Sequence, residues 1–316
     1  MSNTLRIIYM GTPDFAVEPL KKLVDAGKNI VAVVTMPDKP AGRGHKLQFS
    51  PVKEFALQAG IPVLQPDNLK STDFLQELAS YNADLQIVVA FRMLPEAVWS
   101  MPKYGTFNLH ASLLPKYRGA APINWAVING DKETGITTFF LKHEIDTGNI
   151  ILQEKVTIAD DDDAGVVHDK LMYLGADLVL KTLEMIENDS VVTRPQDDTQ
   201  STAAPKIFKD TAKLNFDNSA EAIRNLIRGM APYPAAWFNI QLPDGTSTMM
   251  KVFKAVADCT HHSYAIGTLV TDGKKVLKVA CKDGFVNLME VQMAGKKRMS
   301  AEDLMRGANL VGAVIL

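Results

Sequence analysis

Asp84-Leu85-Gln86-Ile87-Val88-Val89-Ala90-Phe91 carries its large apolar residues in a nearly continuous run rather than in alternation. That texture belongs to a central parallel strand covered on both faces by helices. Two further strand signals precede it. Leu5-Arg6-Ile7-Ile8-Tyr9-Met10 is β-rich and ends at Gly11, and Ile30-Val31-Ala32-Val33-Val34 reads as a second buried strand. Between them, Asp14 precedes a helical pattern in which Phe15, Val17, Leu20, Leu23 and Val24 share one face, and Gly27 stops it. Ser50-Pro51 reads as the N-cap and first position of a helix running to Gly60. This β-α-β alternation predicts an α/β fold with a doubly wound, mostly parallel sheet. Right-handed crossovers would place the ligand crevice at the carboxyl ends of the strands.

Beyond the sheet region, Val167, Leu171, Leu174, Leu178 and Met185 follow a spacing of three and four that predicts a long helix over 164–187. Asp160-Asp161-Asp162-Asp163 stands before it. Four carboxylates in a row invite a metal reading. A helix N-terminus, with one Asp as the cap and the rest favoured by the dipole, is the better reading. The texture changes after Asn188. Thr193–Pro205 is rich in Thr, Ser, Asp, Gln and Pro and reads as a linker. Asn218 with Glu221 three residues later forms a capping-box signal for a helix through Ile223, Leu226, Ile227 and Met230.

Short β-type runs follow: Trp237–Leu242, Met249–Ala257, Gly267–Thr271, Lys275–Ala280 and Phe285–Met293. Turn signals at Pro243-Asp244-Gly245, Asp272-Gly273 and Asp283-Gly284 separate them. A small β-barrel is expected, and an OB-like one fits the strand count. The organisation expected is therefore an α/β domain over 1–190, a linker over 191–205 and a barrel domain over 206–316.

The 316 residues have 47% hydrophobic and 22% charged content, an ordinary globular composition. No apolar stretch approaches the roughly 18–20 residues needed to span a bilayer, so no membrane partner is expected. Met1–Arg6 lacks a basic region followed by an apolar one, and no secretory signal is expected. Cys259 and Cys281 are the two cysteines. They exclude a disulfide framework or a cysteine-based zinc cluster and suit a cytoplasmic location. The net charge of −2 divides unevenly: from Lys206 onward 15 Lys and Arg face 10 Asp and Glu, net +5, and the rest of the chain carries −7. A mildly basic barrel beside an acidic α/β domain suits nucleic-acid handling.

Several familiar motifs are missing. Met10-Gly11-Thr12-Pro13-Asp14-Phe15 lacks G-x-G-x-x-G, with Pro13 and Phe15 where a pyrophosphate needs bare backbone. The P-loop, the G-x-S-x-G elbow and H-E-x-x-H are also absent. The informative stretch is Phe107-Asn108-Leu109-His110-Ala111-Ser112-Leu113-Leu114-Pro115-Lys116-Tyr117-Arg118-Gly119-Ala120-Ala121-Pro122. Asn108 and His110 are two apart, so on an extended segment they point to one side. Two convergent donors suit the oxyanion of an acyl transfer, although an isolated Asn-x-His is more often a turn residue beside a core histidine. Asp146, in Glu144-Ile145-Asp146-Thr147-Gly148, is a carboxylate able to orient an imidazole and to receive a proton, although Asp-Thr-Gly alone is often only a turn.

Taken in order, these motifs make the chain resemble the folate-dependent formyltransferases over essentially its whole length. The resemblance rests on Tyr9-Met10-Gly11-Thr12-Pro13-Asp14-Phe15-Ala16, Asn108-Leu109-His110-Ala111-Ser112-Leu113-Leu114-Pro115, Arg118-Gly119-Ala120-Ala121-Pro122-Ile123, Asp146-Thr147-Gly148 and Gly295-Lys296-Lys297-Arg298-Met299. It implies a Rossmann-like formyltransferase domain followed by an OB-like barrel. It implies Asn108, His110 and Asp146 as the catalytic trio, Ser112, Leu113, Leu114 and Pro115 as binders of the tetrahydrofolate carrier, 10-formyltetrahydrofolate as formyl donor, and no metal. Within the family the likeness is to the members whose acceptor is initiator methionyl-tRNA. In one place the chain departs from the pattern. The family often has a Gly-containing turn after its central strand, where this chain has Ala90-Phe91-Arg92-Met93-Leu94-Pro95, and Arg92 stands at the edge of the expected folate pocket.

Thr35–Ser50 reads as a long loop, flexible at Gly42 and Gly44 and carrying Lys39, Arg43, His45 and Lys46. Given the resemblance, Lys39, Arg43 and Lys46 become candidate tRNA contacts on an arm that reaches a phosphate backbone or a terminal base pair. Lys296, Lys297 and Arg298 are candidates on the barrel. A monomer is expected. Rival readings are a sugar-nucleotide formyltransferase of the same superfamily, which should lack the arm, and a non-catalytic RNA-binding protein on the same scaffold.

Overall fold

Leu85–Val89 lies inside a seven-stranded sheet and is buried along its whole length. The computed structural model describes residues 4–41 and 46–316, with backbone alone at 39–41, 46 and 47. The sheet is built from β1 (Ile7–Gly11), β2 (Ile30–Val34), β3 (Val63–Leu64), β4 (Leu85–Val89), β5 (Thr106–His110), β6 (Glu133–Phe140) and β7 (Ile150–Thr157) in the order β7-β6-β5-β4-β1-β2-β3. The pairs β1–β2, β1–β4, β2–β3 and β4–β5 are parallel, and β5–β6 is antiparallel. This is the doubly wound, mostly parallel sheet expected from the strand texture. Winding reverses at β1, which has β2 on one side and β4 on the other. Gly11 pairs with Val89 and Asn108 with Val88, so the ends that carry the candidate residues lie side by side.

Local signals place the helices. Ser50 Oγ accepts the Lys53 amide at 3.1 Å and Pro51 opens helix Pro51–Gln58, while Gly27 and Gly60 adopt φ of +68° and +69° after the helices they end. The long helix runs Ala164–Glu187, as its spacing predicts, and Asp163 Oδ1 accepts the Val166 amide at 2.9 Å. The acidic run is thus a helix start. Asp160 pairs with Lys132 at 2.6 Å, and that bond holds its carboxyl below the usual carboxylate range.

Compact packing divides the chain into Met1–Gly119, Thr134–Val156 and His168–Ala203 as one unit, and Ala120–Glu133, Thr157–Val167 and Ala204–Leu316 as another. The second unit holds β8 (Ala236–Gln241), β9 (Ser247–Asp258), β10 (Leu269–Thr271), β11 (Leu277–Cys281), β12 (Gly284–Met293) and β13 (Val314–Ile315), in the order β10-β11-β12-β9-β8-β13. Its pairings are antiparallel and the sheet is barrel-like; each of the five expected runs is one strand. β9 shifts register near Val252–Ala255, a bulge that lets so long a strand bend. Phe216 meets Phe238 edge-on in its core, with ring centroids 5.6 Å apart. Among the described residues no helix is long and apolar enough to cross a membrane.

Three local expectations change. Ser219, not Asn218, caps helix Ala220–Met230: its Oγ accepts the Ala222 amide at 3.2 Å, and Asp283 Oδ1 takes the Ala220 amide at 2.7 Å. Glu221 is held by Arg224 at 2.7 Å rather than closing a capping box. The 35–50 stretch is not loop throughout. Lys39–Ala41 and Lys46–Gln48 pair as an antiparallel hairpin, with Gly42, Arg43, Gly44 and His45 outside the described residues. Lys53 draws the two ends of the stretch together: its Nζ bonds Asp38 Oδ2 at 2.5 Å and lies 4.0 Å from the Phe49 ring centroid. The segment read as a linker is bonded into the first unit up to Ala203. Arg194 and Ile150 exchange backbone bonds of 3.0 and 2.8 Å, and the Arg118 amide donates to the Thr202 carbonyl at 2.9 Å.

Candidate active site

Asn108 and His110 leave β5 on the same side, as their spacing requires. Asn108 is half-buried, and among the described residues its carboxamide makes no hydrogen bond to the protein. His110 is 6% exposed. Its Nε2 lies 2.8 Å from the Tyr117 carbonyl oxygen, an acceptor only, so Nε2 carries a proton. Its Nδ1 lies 3.8 Å from Asp146 Oδ2. The three candidate catalytic residues therefore come from two segments, with Asp146 brought to the ring from the turn between β6 and β7.

That turn is tightly made. Asp146 adopts φ +54°, in the left-handed region, and Thr147 Oγ1 donates to the Glu144 carbonyl at 3.1 Å. A Cβ on Gly148 would come within 1.6 Å of the Phe140 carbonyl oxygen, so only glycine lets the chain pass β6 at that point. The Gly119 amide donates to Asp146 Oδ2 at 2.9 Å and leaves the carboxylate turned toward His110.

The four residues implied for folate binding divide by direction. Ser112 is fully buried, with its hydroxyl donating to the Lys116 carbonyl at 2.6 Å. Leu114 is buried against Phe139 and Ile150, and the Leu114–Pro115 bond is cis. Leu113 and Pro115 are half-buried. Gln153 Nε2 donates to the Leu114 carbonyl at 2.8 Å, and the Leu114 amide donates to Thr137 Oγ1 at 3.2 Å. The segment is thus a rigid ledge whose apolar surface is offered by Leu113 and Pro115. Arg92 folds over the 66–67 backbone: Nη1 donates to the Asp67 carbonyl at 3.0 Å and Nη2 to the Pro66 carbonyl. Ala90 holds φ +47°, a conformation that suits glycine.

Among the tRNA candidates, Lys39 and Lys46 lie on the hairpin by backbone placement, and Arg43 lies outside the described residues. Lys296 and Lys297 are exposed in the turn after β12. Arg298 is engaged within the barrel unit: it pairs with Glu290 and sits 4.5 Å from the Phe253 ring centroid.

Sequence reasoning overlooked Gln196, Thr202 and the Tyr117 carbonyl. Gln196 Nε2 donates to the carbonyls of Asp146 at 2.8 Å and Gly148 at 2.9 Å. Thr202 Oγ1 accepts the Tyr117 amide at 2.9 Å. Gln and Thr in a polar stretch carry no local signal of such a task.

Comparison with known proteins follows the two parts of the chain. Residues 5–183 match the formyl transferase family and residues 206–309 match the formyl transferase C-terminal domain. The methionyl-tRNA formyltransferase of Bacteroides thetaiotaomicron is 58% identical over 310 residues, covering 97% of this chain and 96% of that protein. That of Phocaeicola vulgatus is 59% identical over 309 residues, covering 96% and 95%. In fold, the N-formyltransferase from Helicobacter canadensis, solved with folinic acid and dTDP-3-aminofucose, is similar with a TM-score of 0.63 at 22% identity, covering 90% of this chain and 98% of that one.

Proposed function

The chain belongs to the formyl transferase family in both its N-terminal and C-terminal parts, and from that premise we propose that it moves a formyl group from 10-formyltetrahydrofolate to the α-amine of methionine carried by initiator tRNA. The observation that supports this most is the meeting of His110 and Asp146, with Asn108 on the same side of the strand as His110 and its carboxamide without a partner among the described residues. Relatives near 58% identity over almost the whole chain carry methionyl-tRNA in their names, whereas the neighbour solved with dTDP-3-aminofucose shares 22% and fold alone.

The residues present fit a folate donor. Asn108 offers an amide free to donate, and Leu113 and Pro115 offer apolar surface on a rigid ledge. The acceptor amine attacks as the neutral species, and α-amines with pKa near roughly 8 supply a useful fraction of it. Attack on the formyl carbon places negative charge on the formyl oxygen. Asn108 donates to that oxyanion, and His110 supplies the second donor by exchanging its bond to the Tyr117 carbonyl for one to the oxyanion. Asp146 takes the amine proton, directly or through water. The oxyanion then re-forms the carbonyl as the bond from formyl carbon to N10 breaks, and N10 takes the proton that Asp146 accepted from the amine, directly or through water.

In this proposal the catalytic part takes in the 191–203 stretch that is bonded into the sheet unit, and 206–316 is the tRNA-binding part. Lys39, Arg43, Lys46, Lys296 and Lys297 are the proposed contacts with the tRNA backbone. Cytoplasmic action as a monomer in translation initiation belongs to the same proposal. Incubation with 10-formyltetrahydrofolate and charged initiator tRNA should yield formylmethionine esterified to the tRNA. Absence of that product with fully charged tRNA and intact donor would overturn the reading.

A further inference from the structure

The Gln196 side chain is fully satisfied and joins three segments. Both protons of its amide are donated, to the carbonyls of Asp146 at 2.8 Å and Gly148 at 2.9 Å. Its Oε1 accepts two bonds from Arg118, Nε at 3.1 Å and Nη2 at 2.7 Å. Asp198 holds Arg118 Nη2 from the far side at 2.6 Å. The residue after Arg118 is Gly119, whose amide holds Asp146 Oδ2. The connections close on themselves: Gln196 grips the main chain on which Asp146 is mounted, and through Arg118 it grips the segment that orients the Asp146 carboxylate.

The same stretch seats the other partner of His110. Thr202 Oγ1 accepts the Tyr117 amide at 2.9 Å, and the Tyr117 carbonyl accepts from His110 Nε2. Tyr117 and Asp146 both stand at left-handed φ, +62° and +54°. Backbone in that region costs energy for residues with a side chain, so it persists only where surrounding bonds over-determine it. Both groups that face the imidazole are therefore strained backbone positions tied to the 196–202 stretch.

We infer that Gln196 is a positioning residue for the reaction, setting Asp146 against His110, and that the polar stretch over 196–202 is the backing of the active site. The inference rests on Asp146 acting in catalysis, as proposed above. Gln196 itself does not meet the reacting atoms. Its effect is to hold the carboxylate within hydrogen-bond reach of the amine proton.

The test uses the full-length protein with 10-formyltetrahydrofolate and charged initiator tRNA. Gln196→Met keeps the length and removes both donors and the acceptor. It should lower kcat by about 10- to 100-fold, as misplacement of a catalytic group by about an ångström does. KM for the folate donor should stay within about twofold, because the Leu113–Pro115 ledge is bonded by Thr137, Gln153 and Thr202 and not by Gln196. The discriminating readout is coupling. Because Gln196 acts through Asp146, Gln196→Met combined with Asp146→Asn should be no slower than Asp146→Asn alone. Should Gln196→Met fail to fold, Arg118→Lys serves in its place: it abolishes the forked bonds to Gln196 and keeps a cation for Asp198, and the same non-additivity is expected. Full kcat in the Gln196 variant, or losses that multiply in the double variant, would overturn the inference. Full kcat in Asp146→Asn alone would instead remove the catalytic reading of Asp146.

Discussion

Gly119 and Asp146, 27 residues apart in sequence, are joined by a 2.9 Å hydrogen bond from the amide of the first to Oδ2 of the second. Gly119 adopts φ +123°, where side chains are strained, so its amide is aimed by a backbone that glycine alone adopts readily.

Gly119→Ala should therefore cost about 1–3 kcal/mol in stability and rotate the amide away from the carboxylate. The expected outcome is a lower kcat together with a lower denaturant midpoint. Asp146→Asn, which keeps the shape, should lower turnover by about 10²–10⁴, the scale for losing a positioned general base, while its midpoint stays near that of the parent. Parental stability and rate in the Gly119→Ala variant would show that the amide has no bearing on the site.

Ala90→Gly should stabilise the protein. Ala90 is exposed and held at φ +47°, and a left-handed residue bearing a Cβ costs roughly 1–2 kcal/mol. Glycine has greater freedom in the unfolded chain, which takes back part of that, so a net gain of about 0.5–1 kcal/mol is expected. Chemical unfolding of the two proteins measures it, and a midpoint that falls would contradict the argument.

Lys296 and Lys297 are exposed on the turn after β12, whereas Arg298 is tied to Glu290 and stacked on Phe253. Replacing the two lysines with Ala should raise KM for methionyl-tRNA without moving the folding midpoint. For each phosphate that is no longer neutralised, the slope of log affinity against log salt should flatten by about 0.7–0.9. Arg298→Ala should act differently, lowering stability because its guanidinium no longer covers the Phe253 ring or pairs with Glu290. A salt slope unchanged in the double lysine variant would place the tRNA elsewhere.

Asp272 accepts the amides of Lys274, Lys275 and Val276 at 2.8–2.9 Å, and these bonds, led by that from Val276, hold its carboxyl at about 2. In the unfolded chain it titrates near roughly 3.9. A carboxyl lowered by folding contributes stability in full above the unfolded value and loses it as pH falls through the folded one. The stability difference between the parent and Asp272→Asn should stay flat from about pH 7 to 5 and shrink between about pH 4 and 2. Unfolding midpoints at about pH 5 and pH 3 test this, and a difference that grows on acidification would refute it.

Much of the framework was readable from neighbouring residues alone. The apolar run at 84–91, the cap at Ser50, the acidic start at Asp163 and the spacing through Met185 each depend on side chains within one turn or one strand of each other, and each forms where expected. The pair Asn108 and His110 shares a side for the same reason, since alternation on a strand is a local property. Other features were decided by the tertiary structure. Whether the polar stretch after Thr193 hangs free or is bonded in, and which carbonyls Gln196 reaches, depend on distant segments: Gly148 is 48 residues from Gln196, and Tyr117 is 85 from Thr202. Periodicity and capping are set by bonds within a few residues, so the order of amino acids expresses them directly. The meeting of Gln196, Arg118 and Asp146 exists only after the sheet has fixed where each chain end emerges, and no composition in the 193–205 stretch could announce it.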